Sequence, residues 1–188
     1  MTHPAKALAS YYQKHNIMSS QMIEYMEYSL HSILNEGAKI VIYTVLFSIL
    51  GTVQLFGFTL LLLLPIRWCS GGVHAKTFWG CFFASLIMFL FLIYLSPLLP
   101  SPTSSALIVL WIMSIGALPH IPYTPAFRPI TKHRTICILR CFYIIAMSIW
   151  LVIFEIAALP ETYVSIGFYT LLFQTAQLWI PKKGDKIK

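Results

Sequence analysis

Acidic side chains are scarce in this chain, six in 188 residues, and charged residues of either sign make up only 10%. An ordinary globular domain carries about 25%, so a soluble core wrapped in a solvated surface is excluded. Cysteine is sparse as well. Of the four, Cys81, Cys137 and Cys141 lie at or just inside apolar runs, which favours reduced thiols over a disulfide framework. No series of short alternating strands is present, and that excludes a transmembrane barrel. The opening Met1-Thr2-His3-Pro4 lacks the basic-then-apolar pattern of a cleaved signal peptide, so the first spanning helix is expected to direct insertion. What remains is apolar: 58% hydrophobic residues, in runs near the ~20 residues that cross a bilayer. The expected class is all-α, a polytopic membrane protein forming one integral-membrane domain over 1–188. The net charge of +7 does not point to nucleic acid, because the basic residues are not gathered on a soluble module.

Hydropathy and turn signals divide the chain. Over 5–36, Leu8, Tyr11, Tyr12, His15, Met18, Met22, Tyr25 and Met26 recur at three and four. That is the period of an amphipathic helix, here in two pieces broken near 16–20. It either lies in the headgroup plane or packs against a bundle. The run 38–65 is too long for one comfortable span and too short for two full ones. Gly51-Thr52-Val53-Gln54 in its middle predicts a tight hairpin of short spans, 37–51 and 54–66; one tilted span with Gln54 facing inward is the alternative. Further spans are expected at 78–95, 105–118, 136–159 and 163–180, followed by a soluble tail, 181–188. These six spans put the N-terminal segment, the 67–76 loop, the proline-ruled 120–134 loop and the lysine tail on one side. The opposite loops, 51–54, 96–104 and 160–162, contain no Lys or Arg. Positive-inside insertion produces such a split, so both termini and the 67–76 loop are expected in the cytoplasm. Five spans would put Arg67 and Arg128 opposite the N-terminus.

Chemistry-bearing residues concentrate in 67–81, where His74 and Cys81 stand seven residues apart after Gly71-Gly72, with Arg67 and Lys76 as flanking cations. A thiol attacks a carbonyl as its thiolate, and an imidazole that takes the proton leaves a thiolate–imidazolium pair. Thr77 is placed to cap the following helix and to bring its positive end near Cys81. Along one straight helix the two residues would be separated by ~10 Å of rise, beyond hydrogen-bond reach. His74 must therefore lie on a bend that folds back over the helix start, and Gly71 and Gly72 permit one. Arg67 and Lys76 are candidates for neutralising an oxyanion or holding an acidic substrate. The stretch contains no carboxylate, so no third group orienting the imidazole is assigned. Spacing alone leaves the plain reading open: a small apolar residue at a helix start and a solvated loop histidine. Cys69, His74 and Cys81 match no common zinc spacing, and neither metal nor cofactor is expected.

Other residues carry weaker signals. Glu155 is an intramembrane carboxylate, either functional or snorkelling, and Arg140 is expected to snorkel to the headgroups. Lys132-His133-Arg134, with Arg128 before it, reads as a topogenic cluster and secondarily as a docking site for an acidic partner. A peptide exporter would need a polar path, for which the spans offer little beyond Gln54, Glu155 and Gln174. A non-enzymatic scaffold would tolerate loss of Cys81.

Arg67, Gly71-Gly72-x-His74-Ala75 and Cys81 at this spacing resemble the accessory gene regulator B (AgrB) family. These are membrane cysteine endopeptidases of Gram-positive bacteria that process AgrD pro-peptides into cyclic autoinducing peptides for quorum sensing. The likeness extends over the chain: length, amphipathic start, hairpin, motif, proline-rich basic loop and lysine tail. It implies His74 as the catalytic base and Cys81 as the nucleophile, with Arg67 and Gly72 at motif positions tied to activity. The run 132–134 resembles the family's basic loop, with His133 interrupting it. The resemblance further implies an AgrD-like pro-peptide with an acidic tail as partner, a homodimer, and the cell membrane of a Gram-positive bacterium as location.

Overall fold

The computed structural model describes residues 20–72, 77–123 and 132–180. Among these there are six α-helices and no β-strand: α1 (Ser20–Ile49), α2 (Val53–Ser70), α3 (Phe78–Leu90), α4 (Ser104–Gly116), α5 (His133–Ile156) and α6 (Glu161–Leu178). The all-α class expected from composition holds. Residues 5–19 of the amphipathic segment, His74, Lys76, Arg128 and the lysine tail lie outside the described residues.

The chain divides into two compact units, 1–50 and 51–188. In the first, α1 runs unbroken through the expected boundary at Gly37. The helix therefore begins well before the expected span, because Glu36-Gly37 carries no turn signal strong enough to stop a helix with good formers on both sides. Lys39, Tyr43 and Phe47, one turn apart, are buried, and Lys39 pairs with Glu36. The break expected in the middle of the 38–65 run is present: α1 ends at Ile49 and α2 begins at Val53.

In the second unit α2 packs on α5 and α6, and α4 packs on the same two helices. Leu62 and Ile66 of α2, Leu110 of α4, Tyr143 and Met147 of α5, and Leu171 of α6 form the buried centre. Lipid tails are as apolar as leucine, so such contacts act through close packing rather than water release. Buried hydroxyls assist. Thr175 of α6 meets Ser114 of α4 at 3.3 Å and Tyr143 of α5 at 3.2 Å, tying three helices together. Interhelical bonds of this kind contribute on the order of 0.6 kcal/mol each.

Among the described residues, three helical stretches are long and apolar enough to cross a membrane: Val53–Ser70, Phe78–Leu98 and His133–Ile156; Ser104–Gly116 is apolar but shorter. On length and hydropathy, three of the six expected spans meet this standard. α6 falls below that standard because Glu161, Gln174 and Gln177, with Ser165, Thr170 and Thr175, interrupt its apolar run; Ser165, Thr170, Gln174 and Thr175 are buried. Beyond Leu90, α3 widens into a π turn (Phe91–Leu95) and ends in a 3-10 turn (Ser96–Leu98), where Pro97 has no N–H to continue it.

Candidate active site

The site begins inside α2, not in a loop. The helix runs four residues past the expected end at Ile66, through Pro65, so that Arg67 to Ser70 are helical. Arg67 occupies the last turn, where a cation complements the negative end of the helix. Ser70 is buried and its hydroxyl donates to Ile66 O at 2.8 Å. The helix closes at Gly71, whose N–H donates to Arg67 O at 2.8 Å.

Gly71 has φ 75°, ψ −162°, a conformation essentially limited to glycine. Packing imposes the same choice, since a Cβ there would lie 2.4 Å from the carbonyl oxygen of Tyr123. That contact arises because 121–123 runs parallel alongside Gly71, with Tyr123 N–H donating to Ser70 O at 2.8 Å. Gly72, also buried, has a different reason. A Cβ on it would meet the Arg67 guanidinium carbon at 3.0 Å, so the glycine gives the guanidinium a flat surface to lie on. Arg67, Gly71 and Gly72 are thus brought together.

The chain is described again at Thr77, whose hydroxyl accepts from Gly80 N–H at 3.1 Å and caps α3 as expected. Cys81 is the fourth residue of that helix; its N–H donates to Thr77 O at 3.0 Å, and the residue is half-buried. Phe78, Trp79, Phe82 and Phe83 surround this turn with aromatic rings, Phe78 and Trp79 edge to face at 5.4 Å. Such a collar suits the boundary between headgroups and acyl chains.

Two polar residues from the later helices hold the site. One is Arg140. Its Nε donates to Ile121 O at 3.0 Å and its Nη2 to Pro119 O at 3.2 Å, fixing the segment that lies along Gly71. Gln174 reaches from α6 to the same corner, its Nε2 donating to Ser70 Oγ and Gly71 O, both at 2.9 Å. The sequence signal for both was a lone polar group in an apolar run; their partners lie 19 and 104 residues away. Glu155 accepts a hydrogen bond from Ser104 at 2.8 Å, across the α4–α5 interface. Of the basic cluster, Lys132 precedes α5 and His133 and Arg134 form its first turn, all three exposed. This corrects the expected helix start at Ile136.

The accessory gene regulator B family matches residues 5–178. The chain belongs to the AgrB family. A relative from Clostridium beijerinckii, named as an AgrB-like protein, is 28% identical over 154 residues, 81% of this chain and 76% of that protein. No solved structure matches. AgrB membership ties the chain to the accessory-gene-regulator quorum-sensing pathway and to a family associated with AgrD processing. Together with its long apolar helices, it makes this a membrane protein.

Proposed function

We propose that the chain is a membrane cysteine endopeptidase that removes the acidic C-terminal tail of an AgrD-like pro-peptide, with Cys81 as nucleophile and His74 as its proton acceptor and donor. The observation that carries this reading is that both ends of the His74 segment are anchored. Gly71 is locked against Tyr123 and Gln174 on one side, and Thr77 is locked as the cap of the Cys81 helix on the other. In sequence His74 lies between the two anchors, three residues after Gly71 and three before Thr77.

The chemistry balances without a cofactor. His74 takes the Cys81 proton as the sulfur attacks the scissile carbonyl, and returns it to the departing amine of the tail. The product is an acyl thioester on Cys81 and a free tail. A thiol or hydroxyl within the pro-peptide then attacks the thioester carbonyl, closing a thiolactone or lactone, and its proton passes through His74 back to the Cys81 sulfur. Arg67 offers its cation to the developing oxyanion or to an acidic residue near the scissile bond, with Lys76 beside it in sequence. Gly71 and Gly72 supply the bend. Arg128, Lys132, His133 and Arg134 serve as the docking face for the acidic tail. A cytoplasmic site, cytoplasmic termini, a single membrane domain with the shorter helices completing six crossings, a lipid-facing homodimer and a Gram-positive host belong to the same reading.

Mass spectrometry of an acidic-tailed pro-peptide co-expressed with wild type, Cys81→Ala and His74→Ala tests it. Tail loss with wild type alone is expected. Cleavage that survives Cys81→Ala sinks the nucleophile assignment.

A further inference from the structure

The face shared by α4 and α5 takes no part in the peptidase reading. Ser104, Leu107, Ile108 and Trp111 recur on α4 at three and four, and Ser148, Leu151, Val152 and Glu155 do the same on α5. Each set is one stripe of its helix, and the two stripes line a single open groove of about 460 Å³. Ligand clefts span ~300–1,000 Å³. Buried Leu107 and Leu151 floor the groove, and exposed Ile108 and Val152 wall it. Polar groups stand only at its ends. At one, Trp111 Nε1 donates to Ser148 Oγ at 3.1 Å; at the other, Ser104 Oγ donates to a Glu155 carboxylate oxygen at 2.8 Å.

Glu155 is more than packing requires. It stands in the last turn of α5, whose negative end disfavours a carboxylate, while the positive end of α4 beside it at Ser104 offsets that penalty. A full negative charge remains. Its second oxygen makes no hydrogen bond to a described residue. No Lys or Arg lies in 94–104 or 155–163, the segments that meet at this end of the groove. Arg140, on the same helix, is ~22 Å back along the axis, and Lys39 of the other unit pairs with Glu36. A second copy inserted the same way would bring the same residues to this level. The counter-charge therefore has to come from outside the protein. An apolar groove that ends in an unmatched carboxylate suits a hydrocarbon chain with a cation at its head.

We propose that the α4–α5 groove holds a phospholipid with a primary-ammonium headgroup. Its ammonium donates to Glu155, and one acyl chain lies over Leu107 and Leu151 toward Trp111. The Ser104 hydroxyl holds the carboxylate in place, and the free oxygen accepts the charge-assisted bond.

The test starts from the full-length protein in bilayers with equal amounts of phosphatidylethanolamine and phosphatidylglycerol of identical chains. Native mass spectrometry reads the lipid that stays bound to wild type, Glu155→Gln and Ile108→Trp. Wild type should keep one phospholipid and favour ethanolamine about tenfold, the size of effect a single charge-assisted hydrogen bond supports. Glu155→Gln keeps the shape and the Ser104 bond without the charge, and should bring the preference to about one. Ile108→Trp, at an exposed wall, should fill the groove and cut retention about tenfold; Val152→Trp serves if that variant does not fold. Equal retention of both lipids by wild type overturns the proposal, since that is the ordinary lipid annulus. A preference unchanged in Glu155→Gln or in the tryptophan variant also overturns it, because the lipid then sits elsewhere. So does the absence of any retained lipid; if that protein is a dimer which Ile108→Trp splits, the groove belongs to a second copy.

Discussion

Two cysteines in this protein stand just inside the start of an apolar helix, and they make unlike sites. Cys81 is the fourth residue of α3, half-buried, behind a Thr77 cap and a clamped glycine corner. Cys137 is the fifth residue of α5, exposed, behind Lys132, which makes no side-chain cap. Yet Cys137 has an imidazole at hand: His133 Nδ1 lies 3.6 Å from its sulfur, across one helical turn. Residues four apart on a helix meet without further help, so a thiol–imidazole contact is simple to make and says little about catalysis. What separates the two places is the scaffold. In sequence the Cys81 helix follows a glycine corner at which Arg67, Tyr123, Arg140 and Gln174 meet from α2, the 119–123 segment, α5 and α6.

The sharpest break of this comparison is nucleophile deletion. Cys81→Ala should reduce tail removal more than about 10³-fold, while Cys137→Ala leaves it unchanged; mass spectrometry of the co-expressed pro-peptide reads both. Loss of activity in Cys137→Ala alone would invert the assignment. Next in size is the exchange of histidines. His74→Ala should slow iodoacetamide labelling of Cys81 about 10- to 100-fold by removing its proton acceptor. His133→Ala should alter labelling of Cys137 only, with Cys141 as the reference thiol.

The glycines sharpen the comparison at the level of stability. Gly71→Ala places a Cβ 2.4 Å from a backbone oxygen at φ 75°, and such strain costs about 1–3 kcal/mol before any clash. A lower melting temperature in detergent, with loss of processing, is expected. Gly72→Ala meets only the end of the Arg67 side chain, which can move by a few tenths of an ångström. Its melting temperature should stay near wild type while turnover falls, because the guanidinium is displaced. Equal destabilisation by both would refute the distinction. The smallest effect belongs to Arg140→Gln, which loses charged donation to Pro119 and Ile121 carbonyls. Hydrogen bonds to a charged group are worth about 1.5–3 kcal/mol when buried, and less here because Arg140 is half-exposed. The expected result is a modest fall in melting temperature and a few-fold fall in turnover.

Much of this was legible in the chain. The scarcity of charge implied membrane helices, the break near Gly51 was found where the turn residues stood, and Thr77 caps α3 as its position before an apolar run predicted. The motif residues 67–81 could be singled out because little else in the chain carries chemistry. Boundaries were less legible. α2 continues through Ser70 although Pro65 and Arg67 suggested a stop, since an interior proline removes one helical bond without forbidding the turn that follows. α5 starts at His133 because a basic triplet can form a first turn as well as a loop. Hydropathy by itself singles out three of the six expected spans: α4 is short, and α6 carries polar groups, four of them on buried positions.

Composition, hydropathy and local capping by themselves determined the helical class, the places where helices pause, and the short stretch where a thiol and an imidazole could meet. These depend on neighbours within a turn or two, and such neighbours are always adjacent in the sequence. Only the tertiary structure decided what Arg140, Gln174 and Gly72 are for. The Gln174 amide finds Ser70 across 104 residues, and Gly72 is glycine because a guanidinium from the preceding helical turn lies on it. A polar side chain in an apolar run announces that it needs a partner; the packing of the helices chooses which one.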